Sequence, residues 1–374
     1  MTRLHSMVAF LLCGMALTAI SVTAGSVFNC PKITIPPAPQ NITRLHPGHV
    51  SLVMAMGDSI TAAFAARSSV YEARDLSWSI GEGSSGQVTL PWLLSQYSDK
   101  VEGQSTKAVI PNNFTHLPYG DYHPKTDHLN VAESQGAVHH GSMDQQWGYL
   151  KHALKGYKDL DSRWKVFTLW MTANDVCGQC SGPMKSKKVD QWVEKTEEII
   201  ANVTGSMNQV YINLISTLDL SRIAKVQRHY TLCKWEHKYL LNECGCIDKG
   251  NTSQLKQLDE NVHMLNGKLH EIASKWQAKF AEEGRFDAAV VVQPFMENLQ
   301  VPIDLNFLNH LDCFHPSALG HQALAAGLWN SMLCTDDRAG RCGQKFSEHW
   351  KPVCPDSESF FYAGKDVVPT APPQ

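Results

Sequence analysis

Hydrophobic residues along the chain follow two rhythms. Four short stretches, residues 52–56, 166–171, 209–214 and 288–292, are apolar or nearly so. Runs of that length read as strands buried on both faces, as in a parallel sheet. Between them, apolar residues return every three or four positions. Trp192, Ile199, Ile200 and Val203 predict a helix over 189–207. Leu255, Leu258, Val262, Leu265, Leu269, Ile272 and Trp276 predict a longer amphipathic one. A short helix is expected at 90–97, and a last one with Leu319, Ala323, Leu324 and Leu328 behind Ser317 as its cap. Repeated strand–helix–strand alternation predicts an α/β protein whose parallel sheet is covered on both faces.

The flanks read differently. A basic start, an apolar core over 7–20 and the small residues Val22-Thr23-Ala24 form a secretory signal peptide over 1–24. The apolar core is short for a membrane span, so an N-terminal anchor is the weaker alternative. Residues 25–50, with Pro31, Pro36, Pro37 and Pro39, read as an extended arm. One domain is expected over 51–334, and an irregular cysteine-bearing tail over 335–374, disordered from 367 onward. Within the domain, 101–127 is polar and turn-rich, a surface excursion, and 233–246 reads as a cysteine-bearing loop. Trp78 is either a groove residue or a packing one. No C-terminal apolar stretch offers a membrane span or lipid-anchor signal, so a soluble, secreted monomer is expected.

Composition narrows this further. The net charge of -3 and the lack of a basic block argue against nucleic acid as a partner. Of eleven cysteines, Cys13 leaves with the signal peptide. An even remainder in an exported chain favours disulfides, whose pairing the sequence leaves open. Cys177-x-x-Cys180 and Cys244-x-Cys246 raise zinc or redox chemistry as alternatives, but no partner pair stands at zinc spacing. His139-His140 is read as a pair on a solvated loop rather than a metal site. Neither metal nor cofactor is expected. Sequons at Asn41, Asn113, Asn202 and Asn251 fit an exported glycoprotein.

The chemistry starts at Gly57-Asp58-Ser59, where the first strand ends and the chain turns toward a helix. Open α/β sheets hold their ligands at that edge. Alone, the tripeptide is an ordinary turn, and the Gly-x-Ser-x-Gly signature of α/β-hydrolases is absent. Two distant segments change the picture: Asp312-Cys313-Phe314-His315-Pro316, and Thr172-Ala173-Asn174-Asp175 directly after a strand. With Asp75-Leu76-Ser77-Trp78-Ser79-Ile80-Gly81, Val291-Val292-Gln293-Pro294-Phe295 and Leu328-Trp329-Asn330-Ser331-Met332-Leu333, the chain resembles the SGNH or GDSL hydrolase superfamily. Within it, the animal phospholipase B branch, some of whose members carry tandem copies, is the most similar.

That resemblance implies a three-layer α/β/α fold with a central parallel sheet, flavodoxin-like. It implies a triad of Ser59, Asp312 and His315, and an oxyanion hole made by the Ser59 and Gly136 amides and the Asn174 side chain. A serine hydroxyl needs a base to take its proton, and a histidine needs a partner to fix its tautomer. Three residues apart, Asp312 can reach Nδ1 of His315 and leave Nε2 to Ser59. The implied activity is calcium-independent hydrolysis of phospholipids and lysophospholipids, with transient contact to a membrane or micelle. A general lipid or short-chain carboxylesterase is the alternative, and a weakly active lipid-binding protein a third reading. One departure stands out: Thr172 occupies a place where the family has glycine, so a displaced Asn174 is the expectation to test.

Overall fold

Four parallel strands, β1 (Val50–Gly57), β2 (Trp164–Trp170), β3 (Val210–Ile215) and β4 (Ala288–Gln293), lie side by side in that order. All their residues except Ser51 are buried, which is why continuous apolar runs identify them. The computed structural model describes residues 28–83, 87–111, 122–239, 243–297, 304–334 and 351–364. Residues 1–24, expected to be a signal peptide, residues 84–86, the Asn113 sequon, Cys342 and residues 367–374 lie outside them.

In chain order the helices are α1 (Ser59–Ala62), α2 (Leu90–Ser95), α3 (Pro124–Asp127), α4 (Ser142–Leu154), α5 (Ala173–Cys177) and α6 (Ser186–Ser206). They continue with α7 (Ser221–His229), α8 (Thr231–Tyr239), α9 (Gly245–Lys249), α10 (Thr252–Glu282) and α11 (Ala318–Leu333). Helices and sheet together form the three-layer α/β/α arrangement. The longest, α10, opens with a capping box between Asn251 and Gln254 and lays its apolar stripe against β4. Ser317 caps α11 by accepting from the Gly320 N–H at 3.1 Å.

Topology places the site. Short extended pieces around Glu102 and Asn130 pair in parallel with Leu52 and Ala55 on the outer edge of β1. The chain therefore leaves β1 to one side and returns through α4 to β2 on the other. Connections that depart in opposite directions open a crevice beyond the C-terminal ends of the two strands. Gly57 of β1 stands beside Trp170 of β2, so the segments holding Ser59 and Asn174 emerge together at that crevice.

One expectation changes and three readings gain detail. Residues 233–246, read as a loop, contribute most of α8 and the start of α9, helices held by packing and disulfides rather than by a clear periodic pattern. The excursion over 101–127 is anchored at its described start, where the Val53 N–H donates to Glu102 O at 2.9 Å. Trp78 is fully buried, edge-on to Trp170 with ring centroids 5.4 Å apart, so it packs rather than lining a groove. The described parts of the arm and tail are tied to each other and to the domain. Cys30–Cys354 joins them, the Ile42 N–H donates to Phe286 O at 2.8 Å, and Phe361 is buried in the core.

Candidate active site

Gly57 ends β1 because nothing larger fits: a Cβ there would lie 2.4 Å from Thr61 Oγ1 and 2.9 Å from Trp170 O. Asp58 then caps α1, its Oδ1 accepting from the Ile60 N–H at 2.9 Å. Ser59 is the first residue of that helix, so its own N–H has no acceptor inside it. Its hydroxyl lies 2.7 Å from His315 Nε2.

His315 comes from a tight turn before α11. Asn309 organises the turn: its Oδ1 accepts from the Leu311 and Asp312 N–H groups at 2.8 and 3.0 Å, and its Nδ2 donates to Asp312 Oδ1 at 2.8 Å. Asp312 Oδ1 also accepts from the Phe314 and His315 N–H groups at 2.9 and 3.0 Å. That leaves Oδ2 for His315 Nδ1, 2.7 Å away. Ser59, Asp312 and His315 are all buried, with Phe64 and Phe314 edge-on to the imidazole at 5.1 and 5.0 Å. Burial would raise the Asp312 carboxyl, but His315 and the converging N–H donors outweigh it and hold it low. Burial would likewise lower His315, but the Asp312 carboxylate outweighs it and raises the imidazole. The arrangement equips His315 to take the Ser59 proton and Asp312 to stabilise the cation that results.

The same turn is held from outside. Cys233 of α8 forms a disulfide with Cys313, whose φ of 51° lies in the left-handed region. His237, one helical turn on, points Nε2 at the Asp312 carbonyl, while its Nδ1 sits 2.9 Å from Asp248 Oδ1. Burial works against charge on His237, yet Asp248 and that carbonyl outweigh it and raise the imidazole. Cys177–Cys244 and Cys180–Cys246 tie α5 to α9, so the zinc and redox alternatives for these cysteines give way to disulfides.

Asn174 lies at the start of α5, and its Nδ2 donates to Gly136 O at 2.9 Å, leaving its second amide hydrogen for another acceptor. Gly136 has no room for a side chain, since a Cβ would stand 2.9 Å from Glu133 O and 3.0 Å from Gly57 O. Its N–H donates to Glu133 O at 2.9 Å, across a turn in which Gln135 has φ +66°. In this structure the amide expected in the oxyanion hole is engaged within its own turn. The turn folds the Gly136 N–H back on its own chain, and the residue acts on Asn174 through its carbonyl. Thr172, where the family has glycine, has φ -141°, outside the left-handed region that favours glycine.

Two polar clusters steady these segments. Asp175 accepts from the Val138 and His139 N–H groups at 3.1 and 3.3 Å and lies 2.7 Å from His139 Nδ1. His139 is thus half-buried against a carboxylate, and only His140 is on the solvated side. Arg74, fully buried, donates to Glu72 at 2.7 Å and to the carbonyls of Asn130 and Ala132 at 2.7 and 2.8 Å. Glu72 in turn accepts from the Ser134 hydroxyl at 2.6 Å, fixing the approach to Gly136. Sequence reading missed Arg74, Glu72, His237, Asp248 and Asn309. Only the polar spacing Asn309-x-x-Asp312 hinted at one of them, as an Asx turn.

An apolar cavity opens beside Ser59, lined by Ile60, Trp170, Leu308, Phe314, Pro316 and Leu324. Ile60 follows the serine, and Phe314 and Pro316 flank the histidine, so chain neighbours of Ser59 and His315 contribute to its wall. Among the described residues no cluster of three or more metal-ligating side chains forms, and no helix is long and apolar enough to cross a membrane.

The GDSL-like Lipase/Acylhydrolase family model matches residues 53–328. Membrane-associated phospholipase B1 of Homo sapiens is 28% identical over 336 residues, covering 86% of this chain and 21% of its own length. The Rattus norvegicus protein is 28% identical over 338 residues, covering 86% and 22%, and the Mus musculus protein 29% over 326, covering 83% and 20%. The chain therefore spans about a fifth of the length of these curated relatives.

Proposed function

Because the chain belongs to the GDSL-like lipase/acylhydrolase family, we propose that it is a serine esterase acting on acyl esters of phospholipids and lysophospholipids. The observation that carries this reading is His315, bridging Ser59 Oγ and Asp312 Oδ2 at 2.7 Å each, beside an apolar cavity. Ser59 attacks the ester carbonyl while His315 takes its proton; the imidazolium is held by Asp312 and then delivers that proton to the leaving alkoxide. Water repeats the sequence on the acyl-enzyme and releases the fatty acid. Negative charge on the carbonyl oxygen is met by the Ser59 amide and the free Asn174 amide hydrogen, with Gly136 orienting Asn174. The cavity receives the acyl chain, since its lining offers contact to hydrocarbon and little to a polar group.

No step calls on a metal. The paired cysteines support an oxidising compartment, and with it secretion and use of the sequons. The test is fatty-acid release from phosphatidylcholine and lysophosphatidylcholine, with and without a chelator, by wild type beside Ser59→Ala. Release that survives chelation and vanishes in the variant supports the reading. Turnover of short-chain esters alone moves the assignment to a general carboxylesterase, and no turnover of any ester overturns it.

A further inference from the structure

Large apolar side chains that remain strongly exposed are not scattered. Among the described residues, all of them except Ile110 and Val353 sit on two segments bonded to the 309–316 turn and on the helix turn that follows it. The first is α8, where Leu232, Trp235 and Tyr239 are 58%, 50% and 61% exposed. Their spacing of three and four puts them on one helix face. The other side of the helix carries Cys233 and His237, which hold Cys313 and the Asp312 carbonyl. The second is the loop with Val70 and Tyr71, fastened where the His310 N–H donates to Ser68 Oγ at 3.2 Å. The third is the first turn of α11 with Leu319, next to Ala318, whose N–H donates to Ala66 O at 2.9 Å.

We infer that α8, with these two neighbouring segments, is a membrane-docking face that seats the crevice of Ser59 on the surface of a phospholipid bilayer. The inference rests on the proposed lipid substrate and adds where the protein meets it. Composition favours lipid over a protein partner. Leucine supplies hydrocarbon, while tryptophan and tyrosine have an apolar body and a polar edge suited to the headgroup boundary. Lys234 and Lys238 lie on the same helix with no carboxylate in salt-bridge range among the described residues, and Lys238 stands 4.8 Å over the Tyr239 ring. Cations at that level suit lipid phosphates. Location argues the same way: the turn that α8 holds through Cys233–Cys313 carries His315 and contributes Phe314 and Pro316 to the apolar cavity.

The test uses full-length Ser59→Ala protein, so that no lipid is consumed, and vesicles of phosphatidylcholine with a minor share of phosphatidylserine. Flotation should carry the protein with the vesicles, and bromine-labelled acyl chains should quench its tryptophan emission. Adding Trp235→Phe should remove most of that quenching. Adding Leu232→Ala, Trp235→Ala and Tyr239→Ala together should weaken vesicle binding by about tenfold or more, from the apolar area withdrawn. These positions are exposed, so unchanged circular dichroism and melting should accompany the loss. In the Ser59 background, the triple variant should slow vesicle hydrolysis while turnover of a water-soluble ester stays within about twofold. No vesicle binding, binding indifferent to the triple substitution, or a concentration-dependent dimer that dissociates on Trp235→Ala would each overturn the inference. Vesicle binding is read without turnover, so it stands or falls separately from the proposed esterase activity.

Discussion

Replacing Asp58 by asparagine isolates one buried charge beside Ser59. Its Oδ1 caps the Ile60 N–H at 2.9 Å, whereas its Oδ2 is buried with no partner among the described residues. Burial raises the carboxyl from 3.8 to about 6, against the smaller opposing effects of the cap and His315. Asparagine keeps an oxygen for the cap and cannot ionise. A carboxyl raised in the folded state binds its proton more tightly there than when unfolded, so stability falls as pH rises from about 4 to about 6 and the penalty persists above. At about 1.4 kcal/mol per unit, the displacement corresponds to about 3 kcal/mol. Urea unfolding of wild type and Asp58→Asn, disulfides intact, should show the variant gaining about that much relative to wild type across this interval. Above pH ~6 the difference should be flat. A difference that does not change with pH would refute the argument, whatever its size at one pH. A second readout follows because the Asp58 charge helps raise His315: the acidic limb of kcat/KM should move down in the variant.

Three further substitutions probe the site. His315 must be neutral to act as base, so kcat/KM should rise through a raised pKa, above the ordinary 6.5. Asp312→Asn removes the main cause of that rise; the limb should move down and kcat fall by about 10³–10⁴-fold in an ester assay. Asn174→Ala should lower kcat by about 10²–10³-fold with little change in KM, since its free amide hydrogen serves only the developing charge. Arg74→Met leaves Glu72 and Asp127 buried without their cation, and denaturation should register a loss of about 3–5 kcal/mol.

How far the sequence discloses this molecule depends on whether a feature lies along the chain or across it. The strands were legible because a strand buried on both faces must be apolar throughout, as 166–171 is. α10 was legible because one face of a long helix meets the sheet. α8 was not: Thr231–Tyr239 mixes Cys233 and His237, turned inward by a disulfide and a hydrogen bond, with Leu232, Trp235 and Tyr239 turned outward. Its pattern inverts the usual rule that polar residues face water. The same inversion hid Arg74 and Glu72, a buried pair joined by two hydrogen bonds from the guanidinium to one carboxylate oxygen. Ser59, Asp312 and His315 could be marked because motif and resemblance coincide there. The engagement of the Gly136 amide within its own turn was not legible, since a turn with Gln135 at φ +66° is a matter of backbone angles.

The central claim is that Ser59 is a nucleophile made reactive by His315. Stoichiometric reaction with a serine-directed fluorophosphonate, followed by peptide mass mapping, tests it most directly. One adduct on the Ser59 peptide, absent in Ser59→Ala and strongly slowed in His315→Ala, is the predicted result. Labelling of a different serine, or labelling of Ser59 undiminished in His315→Ala, would contradict the account.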